Sequence, residues 1–178
     1  LNIFTGPLYF LYKIVSTLNL TKQLNAEFPN SNFVPVYWMA TEDHDFDEIN
    51  YFNFKNKKIS WERENSGAVG RLNTDGFDIV FEEFSALLGS SKNEVFIKNL
   101  FNKAYNRHSN LTDATRFLVN ELFGTYGLII VDGDNKELKR KFSPIVRDEL
   151  LNGTSFKEVS ETNKILGEKY KIQVNPRE

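Results

Sequence analysis

The hydrophobic pattern of the first forty residues changes character twice. Leu8, Leu11, Tyr12, Val15, Leu18 and Leu24 recur at spacings of three and four, which predicts a helix opened by Thr5-Gly6-Pro7, running to about Glu27 and burying that stripe. Phe28-Pro29-Asn30-Ser31-Asn32 is a turn cluster that ends it. The unbroken apolar run Val34–Ala40 then predicts a strand covered on both faces. That run stops abruptly in Glu42-Asp43-His44-Asp45-Phe46-Asp47-Glu48, where five carboxylates surround one histidine.

Beyond this cluster, Tyr51 to Glu64 alternates roughly, and Asn56-Lys57 is the expected turn of a small hairpin. Gly67 to Gly76 predicts a further short strand and a turn. Helical spacing returns over 78–88, 92–105 and 112–123. Gly127–Asp132 repeats the earlier motif of a buried strand ending in an acid, and Asp134-Asn135 caps a helix expected over 136–150. Residues 154–167 have mixed helical spacing, and 170–174 suggests a last strand. Strand, helix and strand in this order predict an α/β fold with a mostly parallel sheet. It is expected as one domain over residues 1–178, with an inserted small antiparallel and helical segment at about 51–76.

Composition narrows the chemistry. The chain is 178 residues long, 40% hydrophobic and 26% charged, with a net charge of -2, which gives no electrostatic basis for binding nucleic acid or an anionic membrane. The absence of cysteine excludes disulfides, thiolate metal sites and cysteine nucleophiles, and it fits a cytoplasmic setting. Ile3 to Leu20 is broken by Gly6, Pro7 and Lys13 and reads as a core helix rather than a signal peptide.

In open α/β sheets ligands bind outside the carboxyl ends of the strands, so the acids after Ala40 sit where chemistry is expected. Asp43, His44 and Asp45 can serve as a general base with orienting acids, as metal ligands or as a magnesium site. The plainer reading is a solvated loop whose acids cap the next helix. With few further ligands in the run and His108 the other histidine, a dedicated transition-metal site ranks low. Thr5-Gly6-Pro7 can hold an anion at a helix start or simply cap it, and Lys13 can reach a phosphate or extend to water. Asp132 fits a ribose hydroxyl or a helix cap. Arg107-His108 reads as a surface turn, and Arg177 suits an anionic group or a loop ion pair.

Phe4-Thr5-Gly6-Pro7-Leu8-Tyr9 with Lys13, then Pro35-Val36-Tyr37-Trp38-Met39-Ala40 running on through Thr41-Glu42-Asp43-His44-Asp45-Phe46-Asp47-Glu48-Ile49-Asn50, resemble the cysteine-adding enzyme family of bacillithiol biosynthesis, BshC. Leu128–Asp132 with Leu138-Lys139, and Asn175-Pro176-Arg177-Glu178, resemble the same family in the same order. The resemblance implies an N-terminal-half fragment of a Rossmann-like three-layer core, inactive alone, with its first strand before Leu1 and a C-terminal coiled coil absent. That coiled coil would support a homodimer of the full-length protein. It implies ligation of cysteine to glucosaminyl-malate, with ATP or another nucleotide as energy source if a carboxyl group is activated. The residues it singles out are Asp43, His44 and Asp45 for catalysis, and Thr5, Gly6, Pro7, Lys13, Glu42, Asp47, Asn50, Asp132 and Arg177 for substrate. A metal-dependent hydrolase or a non-catalytic binding module using the same acids are the alternatives.

Overall fold

The computed structural model describes residues 1–174 and divides them into two compact units, Leu1–Asp134 and the segment from Asn135 onward. Arg177 lies outside the described residues.

In the first unit, helix α1 spans Tyr9–Glu27 and delivers the chain to strand β1, Val36–Met39. A short helix α2, Phe46–Ile49, precedes the hairpin of β2, Tyr51–Phe54, and β3, Lys57–Ser60. Helices α3, Phe77–Ala86, α4, Lys92–Tyr105, and α5, Leu111–Phe123, follow and return the chain to β4, Ile129–Asp132. Strands β1 and β4 pair in parallel, with Val36 opposite Ile129 and Met39 opposite Asp132. Their connection contains α2, the hairpin and helices α3–α5, because parallel neighbours need a crossover that carries the chain back to the starting end.

The stripe that α1 buries differs from the expected one. Phe10, Ile14 and Leu18 pack with Tyr37, Ile130, Val119, Phe123 and Leu128, whereas Leu8, Tyr12 and Val15 are exposed. Both stripes have helical spacing, and the one containing Ile14 is turned toward the sheet and α5. The sheet likewise departs from expectation. Helices α1 and α5 cover the Tyr37–Ile130 face, but on the other face Val36, Trp38 and Ile129 are exposed, so β1 is not covered on both sides.

The main core is aromatic. Phe4, Phe52, Phe77, Phe84, Phe101 and Tyr105 gather between the hairpin and α3–α5, with Trp61 and Phe46 alongside. Tyr105 is fully enclosed, and burial pushes its phenol well above the ordinary range, so it stays neutral and accepts the Phe4 amide proton at 3.0 Å. The hairpin turn falls on Lys55-Asn56, one residue earlier than expected, with both residues at positive φ, the geometry that suits the twist of a two-residue hairpin. Residues 67–76 form a 3-10 turn at Val69–Arg71 and an isolated bridge from Asn73 to Asn110 in place of a strand.

Helix α4 begins with a capping box in which Ser91 and Glu94 satisfy each other's backbone amides. Bonds from the Ser91 hydroxyl and the Gly89 and Ser91 amides hold the Glu94 carboxyl down at about 2, from its ordinary 4.5. The folded state therefore prefers ionised Glu94. Its stabilisation is complete above pH 4.5 and is lost as pH falls toward 2. Glu94→Gln is expected to flatten this part of the acid limb when urea midpoints are followed against pH.

In the second unit, Asn135 caps α6, Lys136–Asn152, by accepting from the Glu137 and Leu138 amides. Gly153, at φ 58°, supplies the left-handed link to α7, Thr154–Gly167. Residues 171–174 have no regular secondary structure, so the last strand expected there does not form among the described residues. No helix among the described residues is long and apolar enough to cross a membrane.

Candidate functional site

The carboxyl ends of β1 and β4 meet at Thr41. This threonine is fully buried, and its hydroxyl donates to Asp132 Oδ1 while accepting the Asp134 amide at 3.0 Å. Asp132 Oδ1 accepts that same amide at 3.0 Å. The arrangement locks the two strand ends together in place of the ladder that has just ended. Arg71 reaches in from the 3-10 turn and grips Asp134 with Nε at 2.5 Å and Nη2 at 2.9 Å. This pairing raises the guanidinium pKa further. Arg116, from α5, stands 3.5 Å from Asp132 Oδ2. Two acids and two arginines thus line the strand ends, and the Glu42 carboxylate lies against Gly133.

The acidic loop opens directly from this point. Asp43 Oδ1 accepts the His44 amide at 2.7 Å and the Asp45 amide at 3.4 Å, so Asp43 folds the loop around its own carboxylate. The Asp43 carbonyl takes the Val69 amide at 2.7 Å, tying the loop to the turn that carries Arg71. His44 is left between two acids, with Nδ1 3.8 Å from Asp43 and Nε2 3.6 Å from Asp45, and its side chain is 82% exposed. The same three residues offer ligand atoms within 4.8 Å of one another.

The remaining expected site residues are more dispersed. Thr5, Gly6 and Pro7 line a cavity of about 360 Å³ with Asn2, Glu48 and Tyr51, so they face the far end of α2 rather than His44. Asn2 donates to the Glu48 carbonyl at 3.0 Å and joins the two segments. No side chain caps α1, which leaves its first turn to the backbone and the cavity. Lys13 lies on the outer side of α1 with its ammonium 4.8 Å above the Tyr9 ring. Asp47 sits in the first turn of α2, and Asn50 ends that helix while its carbonyl accepts the Trp61 amide at 2.7 Å. His108 Nδ1 donates to the Lys103 and Ala104 carbonyls at 3.0 and 2.9 Å, and the ring packs on Phe117, half-buried rather than on an open surface turn.

Sequence reasoning missed Thr41, Arg71, Arg116 and Asp134 as members of this cluster. Thr41 carried a signal: it is the first polar residue after an apolar strand. Arg71 and Arg116 carried none, because their partners are distant in sequence.

Parallel strands backed by helices, with polar groups gathered at their carboxyl ends, define a Rossmann-like α/β domain. The chain belongs to the BshC family: the family model described as "Bacillithiol biosynthesis BshC, N-terminal Rossmann-like domain" matches residues 1–178. It is 60% identical over 178 residues to a Flavobacterium psychrophilum protein and 58% identical over 178 residues to one from Flavobacterium johnsoniae, each named "Putative cysteine ligase BshC". Both alignments cover 100% of this chain, and 33% and 34% of those relatives respectively. A Staphylococcus saprophyticus protein of the same name is 28% identical over 159 residues, covering 82% of this chain and 29% of its own length. The chain therefore spans about a third of the length of these curated relatives.

Proposed function

We propose that the full-length protein carrying this domain joins cysteine to the amino group of glucosaminyl-malate, a carbon–nitrogen ligation completing bacillithiol biosynthesis. The observation that carries this reading is the placement of Asp43-His44-Asp45 immediately beyond the Thr41–Asp132 junction, supported by the names of the relatives.

In this reaction the sugar amine attacks the carboxyl carbon of cysteine. The nitrogen gives up a proton, and the carboxyl oxygen leaves with its activating group. An ammonium ion is no nucleophile, so a base is required, and His44 between two carboxylates suits that role. The acids also attract the amine while it is still charged. A nucleotide would supply the group that activates the cysteine carboxyl. The start of α1 beside Thr5 and Gly6 fits its phosphate, since the helix dipole favours an anion there and no side chain occupies the cap.

The test is His44→Ala and Asp45→Asn in the full-length protein. Ligation is expected to fall by about 10²–10⁴-fold, the usual contribution of a positioned base. Survival of both ligation and substrate affinity would remove these residues from the chemistry. A rate that collapses on chelation and returns with a divalent cation would instead assign the trio to a metal.

A further inference from the structure

We infer that α5 carries a pocket for an α-amino acid, recognised as a zwitterion, beside the crevice; this rests on the ligase reading above and names the subsite of its amino-acid substrate. Asp113, Arg116, Phe117 and Asn120 follow one another at spacings of three, one and three, which places them on one side of the helix. That side borders a cavity of about 440 Å³ whose floor is Leu128 and Ile130 of the β4 segment. The volume accommodates a small amino acid with room for water.

The charges are arranged for such a ligand. Arg116 has five N–H donors, yet its polar contacts among the described residues are two long ones, 3.5 Å to the Ile130 carbonyl and 3.5 Å to Asp132. A guanidinium held this loosely keeps a fork for a carboxylate. One helical turn earlier, Asp113 accepts a single side-chain bond, from Asn110 at 2.8 Å, which leaves acceptor capacity for an ammonium. Asp113 and Arg116 form no ion pair with each other among the described residues, so neither charge is consumed by its neighbour. Phe117, Leu128 and Ile130 add apolar surface suited to a short, weakly polar side chain such as a thiol. Arg116 also contacts Asp132, so a carboxylate bound here would lie next to the strand ends where it would react.

Calorimetric titration of the full-length protein separates the two charges. L-Cysteine is expected to lose tenfold or more in affinity in both Arg116→Gln and Asp113→Asn. Cysteine methyl ester, which has no carboxylate, should be indifferent to the first change, and N-acetylcysteine, which has no ammonium, to the second. Circular dichroism and thermal midpoints confirm that the variants fold. Equal cysteine affinity in wild type and both variants overturns the pocket, as does a methyl ester that loses as much as the free acid on Arg116→Gln. Ligation kinetics distinguish the two claims. Charge-matched cysteine binding without ligation keeps the pocket and ends the reaction assignment, whereas ligation with an unchanged cysteine KM in both variants does the reverse.

Discussion

Replacing Phe4 with alanine is expected to lower the unfolding free energy of the chain by about 3–5 kcal/mol, the usual cost of deleting a buried phenylalanine. The ring is 5% exposed and touches five others, with centroids 4.0 Å from Phe101, 4.5 Å from Phe52, 5.0 Å from Tyr105, 5.3 Å from Phe84 and 6.3 Å from Phe77. A second consequence follows from the backbone. Phe4 and Thr5 have φ of 51° and 66°, a region that side chains disfavour, and Gly6 follows at 55°. Conformations of this kind cost on the order of 1–3 kcal/mol each and persist when surrounding structure imposes them. Here the aromatic cluster and the Phe4 amide bond to Tyr105 impose them. Phe4→Ala should therefore also speed hydrogen exchange at the residue 4 amide by at least the factor expected from the global loss. Urea unfolding with a loss under about 1 kcal/mol would show that the neighbouring rings close over the gap.

Gly70→Ala is the second large effect, a loss of about 2–3 kcal/mol from overpacking. A Cβ at this position would stand 2.6 Å from the Thr41 Cβ and 2.8 Å from its carbonyl oxygen. Neither can retreat easily, because the Gly70 amide donates to that carbonyl at 3.0 Å and the Thr112 hydroxyl donates to the Gly70 carbonyl at 2.8 Å. The variant pushes directly on the threonine that locks the strand ends. Gly133→Ala is the informative control. Its new Cβ would also be crowded, but by the carboxylate end of Glu42, which can swing outward. Paired thermal melts should thus show a large fall for Gly70→Ala and a small one for Gly133→Ala. Equal losses would mean that Glu42 is fixed as firmly as the Thr41 backbone.

Local signals account for much of the architecture. Helical spacing and the Asn135 cap place α4, α5 and α6 close to their observed limits, because each is decided within a few residues. The side that a helix buries is decided by its neighbours. Helix α1 has two apolar stripes, and the Ile14 stripe is chosen by Tyr37, Val119 and Ile130, residues that spacing within α1 cannot reveal. The same limit applies to the site. The acidic loop is conspicuous because charge interrupts an apolar run, while the pairing of Arg71 with Asp134 spans 63 positions and depends on the fold that brings them together. The last expected strand does not form: residues 171–174 have no regular secondary structure, and the Asn163 side-chain amide of α7 donates to the Val174 carbonyl at 2.8 Å.

The bare side of the β1–β4 pair gives the domain an optical asymmetry. Trp61 is 1% exposed, with its indole N–H bonded to the Asp75 carbonyl at 2.9 Å, whereas Trp38 is 59% exposed beside Val36 and Ile129. These are the two tryptophans of the chain. One therefore emits from an apolar shell beyond the reach of iodide, and the other emits from water and is readily quenched. Whatever comes to lie over that side of the sheet, three residues from the buried threonine, will shift the colour of Trp38 and leave Trp61 as the internal reference.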